Sequence, residues 1–113
     1  MEAVNALKIN FQEYEHYEQG WNGEDGQPLT AEVKGNFRQV LHTADAASLS
    51  NIMIFPEDNG TLSIEAKNRP AGLSLGNEEF SHYAIIDSHG IGENHVPFTP
   101  EAVSELLRSF LTE

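Results

Sequence analysis

The chain has 113 residues, of which 39% are hydrophobic and 21% charged. That length fits one domain, and that balance supports a packed core and is unlike a disordered tail. Six Lys and Arg against 18 Asp and Glu give a formal net charge of −12. Such a charge opposes phosphate backbones and anionic headgroups, which argues against a conventional nucleic-acid binder or a polybasic membrane anchor.

There is no cysteine, so disulfides, Cys-ligated zinc, iron–sulfur clusters and thiol nucleophiles are excluded. No apolar run approaches the roughly 20 residues that cross a bilayer. Met1-Glu2-Ala3-Val4-Asn5 lacks a basic start and an apolar core, so the expected location is cytoplasmic.

Val4, Leu7, Phe11 and Tyr14 recur at steps of three and four, which predicts a helix from about Ala3 to Gln19 with Gly20 as its stop. Gly20 to Leu29 holds three glycines, a proline and the sole tryptophan, Trp21, and reads as a loop. Thr30 is a good N-cap for a second helix, carrying Val33, Phe37, Val40 and Leu41 and ending near Thr43. Asp45 to Asn51 reads as a polar connection.

The period then changes. Ile52 to Phe55 is a short apolar run stopped by Pro56, and Pro56 to Gly60 is dense in turn formers. Leu62, Ile64 and Ala66 alternate with Thr61, Ser63, Glu65 and Lys67, the pattern of a strand with one buried face. A turn at Asn68-Arg69-Pro70, a brief strand at Leu73-Ser74-Leu75, a turn at Gly76 to Glu79 and a strand from Phe80 to Asp87 follow. Ser88 to Phe98 has no period and reads as a long loop. Thr99-Pro100-Glu101 supplies an N-cap, a proline at the first helical position and an early acid ahead of Val103, Leu106, Leu107, Phe110 and Leu111. The expected architecture is a single two-layer α+β domain over residues 1–113. It has an antiparallel meander of about four strands, two N-terminal helices and one C-terminal helix.

Gly20-Trp21-Asn22-Gly23 with Pro28-Leu29, and Pro56-Glu57-Asp58-Asn59-Gly60-Thr61-Leu62-Ser63-Ile64-Glu65, resemble a family of small, largely uncharacterised bacterial proteins. Leu73-Ser74-Leu75-Gly76 and Tyr83 fall where such proteins carry their next strands. The resemblance covers about residues 20–85 and implies an α+β fold and a bacterial setting, with no catalytic residue to carry over. Glu24 stands where the family has an aromatic after Trp-x-Gly, and Ala66 where a tryptophan often follows the strand glutamate.

Two segments carry candidate chemistry. Glu13, Glu15, Glu18, Glu24 and Asp25 lie within thirteen residues with no Lys or Arg among them, and Trp21 stands inside the stretch. This is the expected partner-binding surface. It would be an acidic face for a basic protein, with Trp21 as an anchor or, alternatively, as a ring that closes the core. An inhibitor, immunity or antitoxin-like module would use this physics. Glu15 and Glu18 near a helix end oppose the macrodipole, so local helix stability does not account for them.

The alternative is a metal-binding protein or small hydrolase built on His82 to His95, with His89, Glu93 and His95 as candidate ligands. Imidazole and carboxylate suit zinc, but no His-Glu-x-x-His helix and no tight ligand pair is present. Gly90-Ile91-Gly92 lacks the third glycine and the following helix of a nucleotide loop. Ser81 and His82 are neighbours on a strand and point to opposite faces, so they form no nucleophile–base pair. Neither Asn22 to Gly26 nor Glu57 to Gly60 fits the register of a calcium loop. No catalytic residue and no cofactor is expected.

Overall fold

The computed structural model describes residues 2–24 and 26–111. Its elements in chain order are α1 (Glu2–Glu15), α2 (Ala31–Thr43), α3 (Ala46–Ser50), β1 (Ile52–Pro56), β2 (Leu62–Ala66), β3 (Ala71–Leu75), β4 (Glu79–Ile86), β5 (His89–Pro97) and α4 (Pro100–Ser109). The domain is α+β, and its strands form one antiparallel sheet in the order β1-β2-β3-β4-β5.

Directly paired residues share a sheet face. Ile54 pairs with Ile64, Ile64 with Leu73, and Leu75 with both Leu62 and Phe80. All of these are buried, so one face of the sheet carries the core. The opposite face, with Met53, Phe55, Glu65 and Tyr83, is open or half-covered. The helices cover the buried face with Val4, Leu7 and Phe11 from α1, Val33, Phe37 and Val40 from α2, and Val103 and Leu107 from α4.

Both expected caps form. The Thr30 hydroxyl accepts from the Val33 amide at 3.1 Å, and the Thr99 hydroxyl accepts from the Ala102 amide at 3.0 Å. Each satisfies a donor that the first helical turn leaves free. Val103, Leu107 and Phe110 are buried as the stripe of α4 requires. Leu107→Ala should cost about 2–5 kcal/mol. The reading is a shift in urea midpoint well beyond that of Glu105→Ala on the exposed face of the same helix.

Three expectations need correction. First, the chain has a fifth strand. Ser88 to Phe98, expected to be a loop, is mostly β5. It pairs with β4 through a two-residue turn in which Asp87 and Ser88 both have positive φ, 49° and 67°, the sign pattern of a hairpin turn matched to strand twist. Nearly all of β5 is exposed, so burial imposes no alternation, and the strand is held by pairing with β4 and by Val96 against the core. Second, Asp45 to Asn51 is not a bare connection. The Asp45 carboxylate accepts from the Ser48 amide at 2.8 Å and caps α3, which buries Ser48 and Leu49. That amide, with Arg108 beside it, holds the Asp45 carboxyl below its usual range. Third, α1 ends at Glu15 rather than Gln19. The His16 and Tyr17 amides donate three residues back to Glu13 and Tyr14, a tightened last turn with no basic side chain to favour continuation.

Candidate functional site

The acidic stretch is distributed over the end of α1 and the loop that follows. Glu13, Glu18 and Glu24 are exposed. Glu15 is half-buried and ion-paired with Arg38 of α2. The cation missing from the local sequence therefore arrives from 23 positions away. This accounts for Glu15 through a contact between helices rather than through a partner. Glu15→Lys would face Arg38 with a like charge and should lower stability by up to about 1 kcal/mol. Glu18→Lys should stay within about 0.5 kcal/mol. Urea midpoints of the two variants test this. Asp25 lies outside the described residues.

Trp21 neither closes the core nor stands free. Its ring stacks on Tyr17 with centroids 5.2 Å apart, and Tyr17 meets Tyr14 edge-on at 5.4 Å. Tyr14 packs against the core. Burial, with Tyr17 and Glu13 nearby, pushes its phenol above the usual value. The Trp21 indole N–H donates to the Gln27 carbonyl at 2.8 Å. The Asn22 side chain accepts from the Glu24 and Gly26 amides, and the Gly20 amide donates to the Gly26 carbonyl at 2.7 Å. Trp21 thus half-buries itself as a staple across a closed loop.

That loop is pinned to the sheet. Gln27 bridges to Asn59, its amide donating to the Asp58 carbonyl at 2.7 Å. The Thr30 amide donates to the Gly60 carbonyl at 3.1 Å. The Asn36 amide group donates to the Gly76 and Asn77 carbonyls at 3.0 and 2.8 Å. Turns in a meander alternate between the two ends of the sheet. The β1–β2 and β3–β4 turns therefore share an end, and these bonds draw the Trp21 loop and the start of α2 to it. Glu24, Glu32, Glu57, Asp58, Glu78 and Glu79 collect there, forming an acidic pole. Lys67 and Arg69 lie in the β2–β3 turn at the other end. Within this pole, among the described residues, the only ion pair is Glu79 with His95, at 2.6 Å. The Glu57 carboxylate is instead held by the Ser74 and Thr61 hydroxyls at 2.6 and 3.0 Å.

The four turn acids of the meander were legible as acids and as turn residues. Their gathering with Glu24 was missed, although the alternation of turns in an expected meander already implied that two of the turns share an end.

The histidine segment does not converge. His89, Glu93 and His95 stand along β5, with His89 and Glu93 four residues apart on one face. His95 occupies a β-bulge at φ 58° and turns to Glu79. That carboxylate, by hydrogen bond and charge, holds the His95 imidazole above its usual value. His82 approaches Glu93 at 3.9 Å. Among the described residues no three His, Asp or Glu side chains form a metal-binding group.

Across the open sheet face, Ser63, Ser74 and Ser81 stand in one paired row. Tyr83 lies over Gly72, where an added Cβ would come within 3.1 Å of its ring. With Glu57 and Asn94 these line a shallow cleft of about 250 Å³. Of these hydroxyls, that of Ser74 donates to the Glu57 carboxylate at 2.6 Å. Among the described residues no helix is long and apolar enough to cross a membrane. No protein-family profile, no curated protein and no solved structure matches this chain.

Proposed function

We propose that this chain is a small, acidic, non-catalytic protein-interaction module, of the inhibitor, immunity or antitoxin kind, that binds a basic protein partner through its acidic pole. The observation that carries the reading is the convergence of Glu24, Glu32, Glu57, Asp58, Glu78 and Glu79 from separate segments onto one end. Glu79 alone among them has an ion-pair partner within the described residues. Like charges brought together without compensation repel in the free protein, and a cationic partner relieves that repulsion on binding. The Tyr17–Trp21 stack, tied to the Gln27 carbonyl by the indole N–H, supplies aromatic area beside the pole. Of the acids first expected to form the surface, Glu24 belongs to the pole, Glu13 and Glu18 are exposed at and just after the end of α1, and Glu15 is occupied by Arg38. The resemblance to small bacterial proteins fits this reading and adds no catalytic group.

The test is affinity capture at low and high salt with the wild-type chain and with a Glu24→Lys, Asp58→Lys, Glu78→Lys triple variant. A basic protein retained by the wild type at low salt and lost by the variant supports the pole. Equal retention by both overturns it.

A further inference from the structure

The β4–β5 hairpin runs past the rest of the sheet. β4 has 8 residues and β5 has 9, against 5 in each of the first three strands. Beyond Ala84, which pairs with Ala71, its two strands pair with each other, and the Ile85 amide still reaches the Pro70 carbonyl ahead of β3. Ile86 and Ile91 there are 51% and 56% exposed. β5 is also one of the two edge strands of the sheet. Exposed edges invite another strand unless a proline, a bulge or a lysine blunts them. The far half of β5 is blunted by the bulge before Val96 and by Pro97. His89 to Glu93 carries no proline, bulge or lysine, and its one acid is Glu93.

The orientation of its backbone follows from the pairing. The Ile85 amide donates to the Pro70 carbonyl at 2.9 Å, so Ile85 and Tyr83 aim their backbone groups at β3. Ile86, Ala84 and His82 then aim theirs at β5, where they face His89, Ile91 and Glu93. The groups left pointing outward on β5 belong to Gly90 and Gly92. Glycine at 92 is required by the hairpin itself, because a Cβ there would meet the His82 carbonyl oxygen at 2.1 Å.

We infer that a second copy of this chain pairs along this edge, β5 against β5 in antiparallel register centred on Ile91. In that register Gly90 faces Gly92 of the other copy in both directions, so the outward amides and carbonyls satisfy one another. Ile91 meets its own counterpart in a non-hydrogen-bonded pair, the closer of the two kinds. His89 faces Glu93 of the other copy, twice, which places complementary groups where one strand meets its own copy. Neighbouring registers are worse. Centring on Gly90 sets His89 against Ile91, centring on Gly92 sets Ile91 against Glu93, and centring on Glu93 sets two carboxylates together. The two-fold axis stands perpendicular to the sheet, so the two helical layers lie on one side of a continuous sheet. This edge lies away from the acidic pole, whose turns are at the other end of the meander. A dimer would therefore keep both poles free for partners.

Sedimentation equilibrium tests the pairing. The wild-type chain is expected at twice its 12.5 kDa mass at high micromolar concentration. Gly90→Pro removes one outward N–H and leaves the ladder to β4 intact, and Ile91→Asp places like charges at the centre. Both should sediment at the monomer mass with an unchanged circular dichroism spectrum. A wild-type monomer up to millimolar concentration overturns the inference, as does a dimer that persists in both variants. Cysteine pairs fix the register, since the chain has no cysteine of its own. Under mild oxidation Ile91→Cys should cross-link to itself. His89→Cys and Glu93→Cys should cross-link when mixed and not separately. Failure of Ile91→Cys to cross-link, or self-linking of Glu93→Cys in its place, refutes the register whether or not any variant perturbs folding.

Discussion

Phe37→Ala should remove about 3–5 kcal/mol from a total of about 5–15 kcal/mol. Phe37 is fully buried on α2, and its ring lies 4.7 Å from that of Phe11 on α1. Truncation leaves a cavity where α1 and α2 meet, and helix backbones collapse poorly into such a space. Because α2 also packs against α4 and β3, the loss is shared by the whole helical layer. Phe55→Ala is the matched control. Phe55 has the same side chain at 43% exposure on the open sheet face, and its loss should cost far less. Urea unfolding of the two variants gives the comparison. A Phe37→Ala shift no larger than that of Phe55→Ala would mean that the helical layer does not pack through this pair.

Buried elements were legible because burial writes a period into the sequence. The alternation of Leu62, Ile64 and Ala66 became the buried face of β2. Thr99-Pro100-Glu101 marked the start of α4 because each residue answers the unsatisfied donors of a first turn. β5 was illegible for the same reason inverted. With solvent on most of both faces it needs no apolar alternation, and Gly90 and Gly92 read as loop residues although they lie within the strand. α3 was hidden by its length, since five residues cannot show a helical stripe. The Glu15–Arg38 pair and the Tyr17–Trp21 stack depend on how α1 meets α2 and how a loop closes. Local sequence does not encode those distances. The candidate surface was legible in charge and not in place. The acids of the Glu13 to Asp25 stretch were visible as a run, while the company that Glu24 keeps with Glu57, Asp58, Glu78 and Glu79 required the topology.

Reversing Glu24, Asp58 and Glu78 to lysine should slow association with a basic partner about tenfold or more at low salt, the lower part of the range over which charge steering acts. Three reversals, each worth two charges, bring the formal net charge from −12 to −6. The three side chains are exposed and form no ion pair among the described residues. Their reversal relieves repulsion at the pole and should leave the unfolding midpoint unchanged or slightly raised, unlike Glu15→Lys. The dissociation rate should move little, because rim charges steer encounter more than they hold the complex. Added salt should shrink the difference, since the screening length falls to about 8 Å at physiological ionic strength. Total charge and its placement are separated by a second triple variant, Glu2→Lys, Glu65→Lys and Glu105→Lys. It reaches the same net charge from positions outside the pole. Stopped-flow association with the captured partner at two salt concentrations reads both. Steering by the pole predicts that the first variant is slowed several-fold more than the second at low salt, and that the two converge at high salt. Equal slowing would assign the effect to net charge alone and deny the pole any role in recognition.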